Sequence, residues 1–472
     1  MSRFHLINKI LTNKVVNATG WYTFSEFFVK GLAFLTLPIF TRLLTIDEFG
    51  IVSVYGSVVS ISTVILGFSL PISIARAKID FKTDFSGFVF NILILNYVLF
   101  LFLFLPIYIF RVSISRFSGL EVSLIVIMLF HGFALSILKL YSTKLKYEYK
   151  YRIVSLLNVI VAISSVFFSL ILMQTIYIEN RSFGKIIGQA GIVILVGVII
   201  TFIMFKSKKS VNLKYWKYAA TLSFPFIFHE LSGIINSLFD RIMINTYLGS
   251  FDAGIYSFSY NIGLIVSVLL VASSQAINPW FFEKMSEEKT YDVIYYSKIY
   301  RDMFTLFYII LLFISPEIVK VIAPEQYWEG IILIPWIFLA YYFQFLATFE
   351  TRVEHFHKNT KLISLGTALT AILNIALNSI FIPIYGYTAA AVTTVISFIA
   401  LFLIHAFITS KILRVKVYNY HFYLYSVLIV MLATVLHNSL INQVIIRYII
   451  TICVTLAYFL YMLTKAKKLK LF

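Results

Sequence analysis

The sequence predicts an all-α polytopic membrane protein with about 14 transmembrane helices, and three observations lead to this prediction. The chain has 472 residues, of which 60% are hydrophobic and 13% charged, and its mean hydropathy is +0.91. Apolar runs of about 20 residues, the length of helix that crosses a bilayer, recur along the whole chain. The breaks between them are basic and too short for a folded soluble domain, which excludes a tethered catalytic head.

Fourteen apolar runs account for most of the chain. The seventh contains two charged interruptions, His229–Glu230 and Asp240–Arg241, and the thirteenth is short for a membrane span. Omitting either span would place the two termini on opposite sides of the membrane. The runs cover residues 17–41, 51–75, 87–110, 120–140, 153–173, 185–205, 218–245, 254–277, 302–323, 330–349, 362–384, 387–409, 421–438 and 444–464.

Basic residues are distributed asymmetrically between the two sets of connecting segments. With a cytoplasmic N-terminus, about 30 of the 39 Lys and Arg residues fall on the cytoplasmic side and about eight on the other. Cytoplasmic loops are enriched in Lys and Arg, so both termini are predicted to lie in the cytoplasm. The net charge of +18 therefore comes mostly from basic residues on the cytoplasmic side of the membrane. Because this distribution explains the charge, we expect no nucleic-acid partner.

The N-terminal 14 residues, MSRFHLINKILTNK, predict an interfacial amphipathic helix, because their apolar side chains share one helical face. The apolar run that follows contains Trp21, Glu26 and Lys30 and has no obvious small-residue cleavage site. A cleavable signal peptide is therefore not expected.

The sequence contains no motif of a soluble enzyme, such as a Walker loop, a strand-borne GxGxxG, HExxH or a nucleophile elbow. A single cysteine, Cys453, excludes a disulfide framework and a cysteine-rich metal site. We expect no catalytic residues, no cofactor and no resident metal. One cluster of charged residues and histidines has no spacing that selects a metal, and we interpret it as a solvated helix end. It consists of Glu350, Arg352, Glu354, His355 and His357.

A weak internal repeat relates the two halves of the chain. Six spans separate equivalent helices, an even number, so the halves run in the same direction through the bilayer and suggest two lobes around a central path. Chance similarity between apolar helices is the alternative. A shift of 204 positions pairs Phe24 with Phe228, Glu26 with Glu230, Leu44 with Leu248, Gly50 with Gly254, Ile51 with Ile255 and Ser53 with Ser257.

Glu26 and Lys30 are predicted near the middle of the first span. An ionised group facing lipid there costs at least about 2.5 kcal/mol, so both side chains should face a cavity or each other. Their i,i+4 spacing permits an ion pair, either as a packing element or in a wet headgroup or ion site. Glu230 occupies the position of Glu26 in the second half, but Ile234 replaces the lysine, and its nearest polar neighbour is His229. We therefore predict Glu26, His229 and Glu230 as cavity or ion-coupling residues, with Glu230 as the carrier of H⁺ or Na⁺.

Further polar residues lie at or inside span ends. Asp240 and Arg241 are adjacent near the outer end of the seventh span, so they point about 100° apart and need different partners. Arg76 closes the second span on the inner side, and it and Arg241 are interpreted as interfacial anchors or as ligands of a headgroup. Asp240 is grouped with the ion-coupling residues. His131 is a lone mid-span histidine, a type that more often bonds a neighbouring helix than acts in function.

Glycine and proline near span ends predict helices that bend. Gly67 and Pro71 lie near the end of the second span, and Pro279 lies near the end of the eighth. Such residues permit a kink in a membrane helix when the freed backbone groups find other partners. Membrane helices that bend in this way are suited to opening and closing a transport path.

Three segments of the chain resemble bacterial polysaccharide transporters of the multidrug/oligosaccharidyl-lipid/polysaccharide (MOP) flippase superfamily, with the O-antigen flippase type as the best match. The resemblance runs from about residue 17 to the twelfth span. The segments are LPIFTRLLTIDEFGIVSVYGSVVSI (37–61), FDRIMINTYLGSFDAGIYSFSYNIG (239–263) and NIALNSIFIPIYGYTAAAVTTVIS (374–397).

The resemblance implies two six-helix lobes and two additional C-terminal helices, which places the domains at 1–209, 210–410 and 411–472. It implies a flippase of the bacterial inner membrane that moves undecaprenyl-diphosphate-linked oligosaccharide for O-antigen or capsular polysaccharide. Its partners would be that lipid-linked glycan, the bilayer and other polysaccharide assembly proteins. In such a protein Lys30, Arg76 and Arg241 would contact the diphosphate headgroup, an assignment that rests on their positions alone.

Two other functional classes stay open. A drug or cation antiporter of the same superfamily would use similar buried carboxylates, although such proteins usually have twelve spans. A membrane-embedded polysaccharide polymerase or ligase would handle the same glycan, but it resembles a chain with one large outer loop, and the outer loops here are short.

Overall fold

Helices form the whole regular structure of the described part of the chain, residues 14–206 and 210–468 of the computed structural model, with side chains described from residue 20 to 461. The predicted interfacial helix at residues 1–14 lies almost entirely outside these residues. In chain order the helices are α1 (Lys14–Leu43), α2 (Ile46–Gly67), α3 (Pro71–Asp80), α4 (Phe85–Ile109), α5 (Arg111–Ser118), α6 (Val122–Tyr147), α7 (Tyr151–Thr175), α8 (Arg181–Phe205), α9 (Leu213–Leu248), α10 (Ser250–Ser286), α11 (Thr290–Ile322), a 3₁₀ helix (Glu325–Leu333), α12 (Ile334–Phe356), α13 (Thr360–Tyr385), α14 (Tyr387–Phe407), a π-helix (Ile408–Ile412), α15 (Tyr420–Ser439) and α16 (Val444–Lys468).

The all-α polytopic prediction is confirmed. Among the described residues, 13 helical segments are long and apolar enough to cross a membrane. The remaining predicted span, the seventh, is α9, a single helix of 36 residues that is too polar to be recognised by hydropathy. At 1.5 Å per residue it is about 54 Å long, more than a bilayer core requires.

The chain forms two compact units, Met1–Gly254 and Ile255–Phe472. In the first unit, α9 packs against α2, α3 and α4. The division into lobes at residues 209 and 410 stays a prediction.

The start of α9 is held to the turn between α3 and α4 by aromatic contacts and two hydrogen bonds. Tyr218 donates to Asp80 Oδ2 at 2.7 Å, and Tyr215 donates to Asp84 Oδ2 at 3.1 Å. The Phe81 ring packs on both tyrosines, with centroids 4.9 and 5.0 Å away. These contacts fix the helix that carries most of the predicted polar site residues.

The starts of α2 and α10 approach each other so closely that only glycine fits. A Cβ built on Gly50 would lie 1.9 Å from the Ser250 carbonyl oxygen, and one on Gly254 would lie 2.2 Å from the Ile46 carbonyl oxygen. The shift of 204 positions pairs Gly50 with Gly254 and Ile46 with Ser250, so the contact is reciprocal between equivalent residues. This reciprocity supports the repeat.

We expect Gly50→Ala to destabilise the protein by about 1–3 kcal/mol, because the new methyl group must displace backbone rather than a flexible side chain. Gly56→Ala, in the same helix, is the matched control: nothing lies within 4 Å of its added Cβ, and the change should be neutral or stabilising by up to about 1 kcal/mol. Unfolding of both variants in mixed micelles measures the difference. Equal stabilities would contradict the close approach.

In the second unit, the 3₁₀ helix and α12 together form the most buried of the 13 described segments that could cross a membrane. Helix α12 packs against α11, α13, α14 and α15. Tyr418, in the connection before α15, shares a hydrogen bond of 3.0 Å with Ser297 on α11. Burial raises the pKa of the Tyr418 phenol, so the side chain stays neutral.

Candidate functional site

A helix break shapes the candidate site in the first unit. The predicted second span is divided into α2 and α3 between Gly67 and Pro71, which confirms the predicted bend. Phe68 and Ser69 have φ of 50° and 48°, the left-handed region that L-residues rarely adopt. Discontinuous membrane helices expose polar backbone where they line a cavity, which is where transporters bind ligands.

Three polar side chains meet here: Ser69 in the break itself, Lys139 on α6 and Glu230 on α9. Glu230, 17 residues or about 26 Å after the start of α9, accepts a hydrogen bond from Ser69 Oγ at 2.9 Å. Its other oxygen pairs with Lys139 Nζ of α6 at 2.8 Å. The side chains of Lys139 and Glu230 are 47% and 29% exposed. We call Ser69, Lys139 and Glu230 the charged triad.

The charged triad adds a partner that the sequence does not show. Glu230 has no ionic partner in its own helix, and Lys139 of α6 supplies one from another helix. Lys139 lies in the second half of α6, which continues to Tyr147. A sequence pattern within one helix carries no information on partners from another.

Glu26 and Lys30 lie on an exposed part of α1. Among the described residues they do not form the ion pair that their spacing permits: the ion pairs of this part of the chain involve neither side chain. Their predicted roles as cavity and headgroup residues stay predictions.

The other predicted residues divide into exposed and buried groups. Arg76 is largely exposed and pairs with Asp80 one turn later at 3.1 Å. Asp240 and Arg241 are only 1% and 8% exposed, which does not fit an interfacial anchor reaching for headgroups. His229 is half-buried, and its ring lies 5.7 Å from that of Phe226. Among the described residues, the structure brings only Glu230 of the predicted set into the charged triad.

His131 is confirmed as a histidine bonded to a neighbouring helix. Its Nδ1 lies 3.1 Å from the Tyr55 hydroxyl of α2, and it is 2% exposed.

The interpretation of the cluster at the end of α12 as a solvated helix end is wrong for three of its five residues, whereas His355 and His357 are exposed. Glu350, Arg352 and Glu354 are 5%, 4% and 0% exposed. Helices α14 and α15 and the π-helix supply hydrogen-bond partners to the two glutamates, and α10 supplies those of Arg352. Within the described part of the chain, no group of three or more His, Cys, Asp or Glu residues could hold a metal ion.

The charged triad combines an accessible ammonium, a hydroxyl and a carboxylate. An exposed ion pair of this kind contributes only about 0–1 kcal/mol to stability, so structural support alone is a weak reason for it. The Lys139 ammonium offers three donors to phosphate oxygens, and Glu230 is the acceptor that an arriving anion must replace. The arrangement suits exchange of one anionic partner for another.

Comparisons with known proteins agree with this architecture. The family model described as "Polysaccharide biosynthesis protein" matches residues 15–285. An uncharacterised membrane protein of Haemophilus influenzae is 24% identical over 327 residues, which cover 66% of this chain and 74% of that protein.

Two solved structures have a similar fold. The lipid II flippase MurJ in an inward closed conformation superposes with a TM-score of 0.66 and 17% identity, covering 90% of this chain and 99% of that one. An inward-facing multidrug resistance transporter of the MATE family of the MOP superfamily gives a TM-score of 0.64 and 12% identity, covering 82% and 96%.

Proposed function

Because the chain belongs to the polysaccharide biosynthesis protein family, we propose that it is a flippase for undecaprenyl-diphosphate-linked oligosaccharide repeat units in the bacterial inner membrane. The cargo would serve O-antigen or capsular polysaccharide synthesis, and transport would proceed by alternating access coupled to an ion. The observation that carries the proposal is the accessible Lys139–Glu230 pair beside the broken helix, since a diphosphate needs a cation inside an apolar protein.

The physical need for such a protein is clear. A hydrated glycan and a diphosphate cannot cross about 30 Å of hydrocarbon unaided, because transfer of charged and hydroxyl groups out of water is very costly. A polar cavity that shields the headgroup removes this cost while the lipid tail stays in the bilayer. Lys139 would pair with the diphosphate in place of Glu230, and Lys30 and Arg76, both exposed, are further candidate contacts.

The MATE-type fold supports a second candidate, a drug or cation antiporter. Such a protein would bind a cation, for which Glu230 rather than Lys139 would be the contact. The family model favours polysaccharide synthesis, and we therefore propose the flippase first. A polymerase or ligase is a third alternative, and the transporter-like fold favours it least.

Reconstituted flipping tests the function directly. Purified protein in proteoliposomes, loaded with fluorescent undecaprenyl-diphosphate oligosaccharide, should increase the fraction of label that an added reducing agent can quench, with the glycan chemically unchanged. Deletion of the gene should leave lipid-linked repeat units in the inner leaflet and remove surface polysaccharide. Lengthening or transfer of the glycan in vesicles would instead identify an enzyme, and transport of a cationic drug alone would identify the antiporter.

We also propose that both termini are cytoplasmic. Single cysteines placed in a Cys453→Ser background test this topology with an impermeant thiol reagent on cells whose outer membrane has been permeabilised. Positions near Arg116 and Arg181 should be labelled, and positions near Lys144 and Lys208 should be protected until the inner membrane is opened. The reverse pattern would contradict the proposed orientation.

A further inference from the structure

The second unit contains a buried polar cluster that the charged triad does not use. Glu350 and Glu354 lie one turn apart on α12. Their partners are His405 on α14, Thr409 in the π-helix and Tyr423 on α15. We call these five residues the carboxylate–histidine cluster. Each of them is less than 9% exposed, so no side chain of the cluster is solvated in this conformation.

Glu350 is arranged as a pure acceptor. Thr409 Oγ1 donates to one carboxylate oxygen and the Tyr423 hydroxyl donates to the other, each at 2.5 Å. Two hydroxyl donors satisfy the oxygens of an ionised carboxylate. These hydrogen bonds favour the charged form of Glu350, whereas its burial opposes that form.

Glu354 is arranged differently. His405 Nδ1 lies 2.8 Å from its Oε1, whereas its Oε2, fully buried, has no hydrogen-bond partner among the described residues. An ionised oxygen buried without a donor is costly, and a proton on this carboxyl removes the charge. The neighbouring imidazole is the side chain whose ordinary pKa lies nearest to neutral pH. Glu354 and His405 thus offer two adjacent places for an exchangeable proton.

No other cation bonds these glutamates in the described part of the chain. Arg352, between them on α12, donates instead to Asn278 Oδ1 at 2.8 Å and Ser274 Oγ at 3.2 Å on α10. On α11, Arg301 is held by Asp302 and by the Phe422 carbonyl.

Two further neighbours in the described part of the chain are uncharged. Tyr418 shares its hydrogen bond with Ser297, and α13 contributes Gly366, whose added Cβ would lie 2.8 Å from His405 Cε1. The charge of the Glu354–His405 pair depends on how many protons its two side chains hold.

The π-helix connects the cluster to helix packing. Segments of this kind are rare and occur frequently at functional sites. Thr409 lies in it and bonds Glu350, so the cluster joins α12, α14 and α15 through hydrogen bonds that depend on charge. Gain or loss of a proton changes the forces between three helices of the second unit.

We propose that Glu354 and His405 form a proton-binding site, which takes up one proton and releases it in each transport cycle. Its place in the cycle rests on the proposed function, whereas the binding of the proton does not. The bond that forms is O–H on Glu354 or N–H on His405, and water delivers and accepts the proton.

Infrared pH-difference spectroscopy of the full-length protein in nanodiscs, without cargo, tests the binding. We expect a carboxylic-acid band that responds to pH, is lost in Glu354→Gln and has a shifted midpoint in His405→Gln. Glu283→Gln, a change at a side chain that is 64% exposed, is the control and should leave the band unchanged. If Glu354→Gln does not yield a monodisperse protein, the midpoint of the carboxylic-acid band in His405→Gln decides whether the proton-binding site exists. An unshifted band in His405→Gln, or a full band in folded Glu354→Gln, would overturn the site.

Proteoliposome flipping with and without a pH gradient tests the role. In Glu354→Gln, the stimulation of flipping by the pH gradient should be at least tenfold smaller than in the wild-type protein. Glu283→Gln should retain the wild-type stimulation. A wild-type protein that titrates at this pair but moves no lipid-linked glycan would refute the proposed function and leave the proton site intact. Gradient-driven flipping that survives Glu354→Gln would refute the coupling role.

Discussion

Lys139→Gln is expected to lower flipping of undecaprenyl-diphosphate oligosaccharide at least about tenfold, which corresponds to a loss of about 1.4 kcal/mol of binding to the headgroup. The variant removes the ammonium that the proposal assigns to the diphosphate and leaves Glu230 with the Ser69 hydroxyl as its remaining partner in the charged triad. Because the pair is partly exposed, stability should change by less than about 1 kcal/mol. The initial rate of flipping at several cargo densities in proteoliposomes measures the effect.

Two control variants sharpen this test. Lys139→Arg keeps the charge and should retain most of the activity, since a guanidinium also binds phosphate. Lys217→Gln removes an exposed lysine from α9 and should leave flipping unchanged. A wild-type rate of flipping in folded Lys139→Gln would show that the charged triad is not part of the substrate site. An equal loss of flipping in Lys139→Gln and Lys217→Gln would show that the effect comes from the overall positive charge and not from the position of Lys139.

Glu230→Gln is the companion measurement and separates substrate binding from ion coupling. It removes the negative charge that competes with the diphosphate for Lys139, so cargo should bind Lys139 more tightly and leave more slowly. If the coupling proton binds at Glu354 and His405, stimulation by a pH gradient should survive this change. Loss of that stimulation would return the coupling role to Glu230, the assignment made from sequence.

How much of the structure can be predicted from the sequence depends on how far apart along the chain the interacting residues lie. The helices and their order follow from apolar periodicity and charged breaks, which are local properties, and composition alone indicates the membrane. Helix α9 shows the limit, because its charged interruptions make hydropathy alone a weak indicator of this span. His131 was interpreted correctly because a buried histidine must bond something nearby, whatever the partner.

Partners that come from distant helices could not be predicted. Lys139 and Glu230 are 91 residues apart, and Glu350 and Tyr423 are 73 residues apart. A charge near a helix end is usually solvated, so Glu350 and Glu354 were interpreted by that rule, and the covering helices that overturn it leave no periodic signal at those positions. The same limitation applies to Arg447, near one end of the predicted span 444–464, which is fully buried and bonds Glu317 of α11.

Arg447→Met is expected to destabilise the second unit by about 3 kcal/mol. The guanidinium at the start of α16 binds Glu317 of α11 through both carboxylate oxygens, at 2.5 and 3.0 Å, and also donates to the Phe313 carbonyl. Its removal leaves a carboxylate and a carbonyl without their donor. Glu317 is 25% exposed, which allows partial solvation and places the loss at the lower end of the range for a broken buried pair.

A double variant tells whether the loss comes from the uncompensated charge. Glu317→Gln combined with Arg447→Met removes both ions and should recover at least half of the lost stability, because well-packed neutral side chains often replace a buried ion pair at little cost. Arg116→Met, at an exposed arginine, should leave the unfolding midpoint in mixed micelles unchanged. An unchanged midpoint in Arg447→Met would show that α16 does not depend on this pair for its attachment to α11, and a double variant no more stable than the single one would assign the loss to packing.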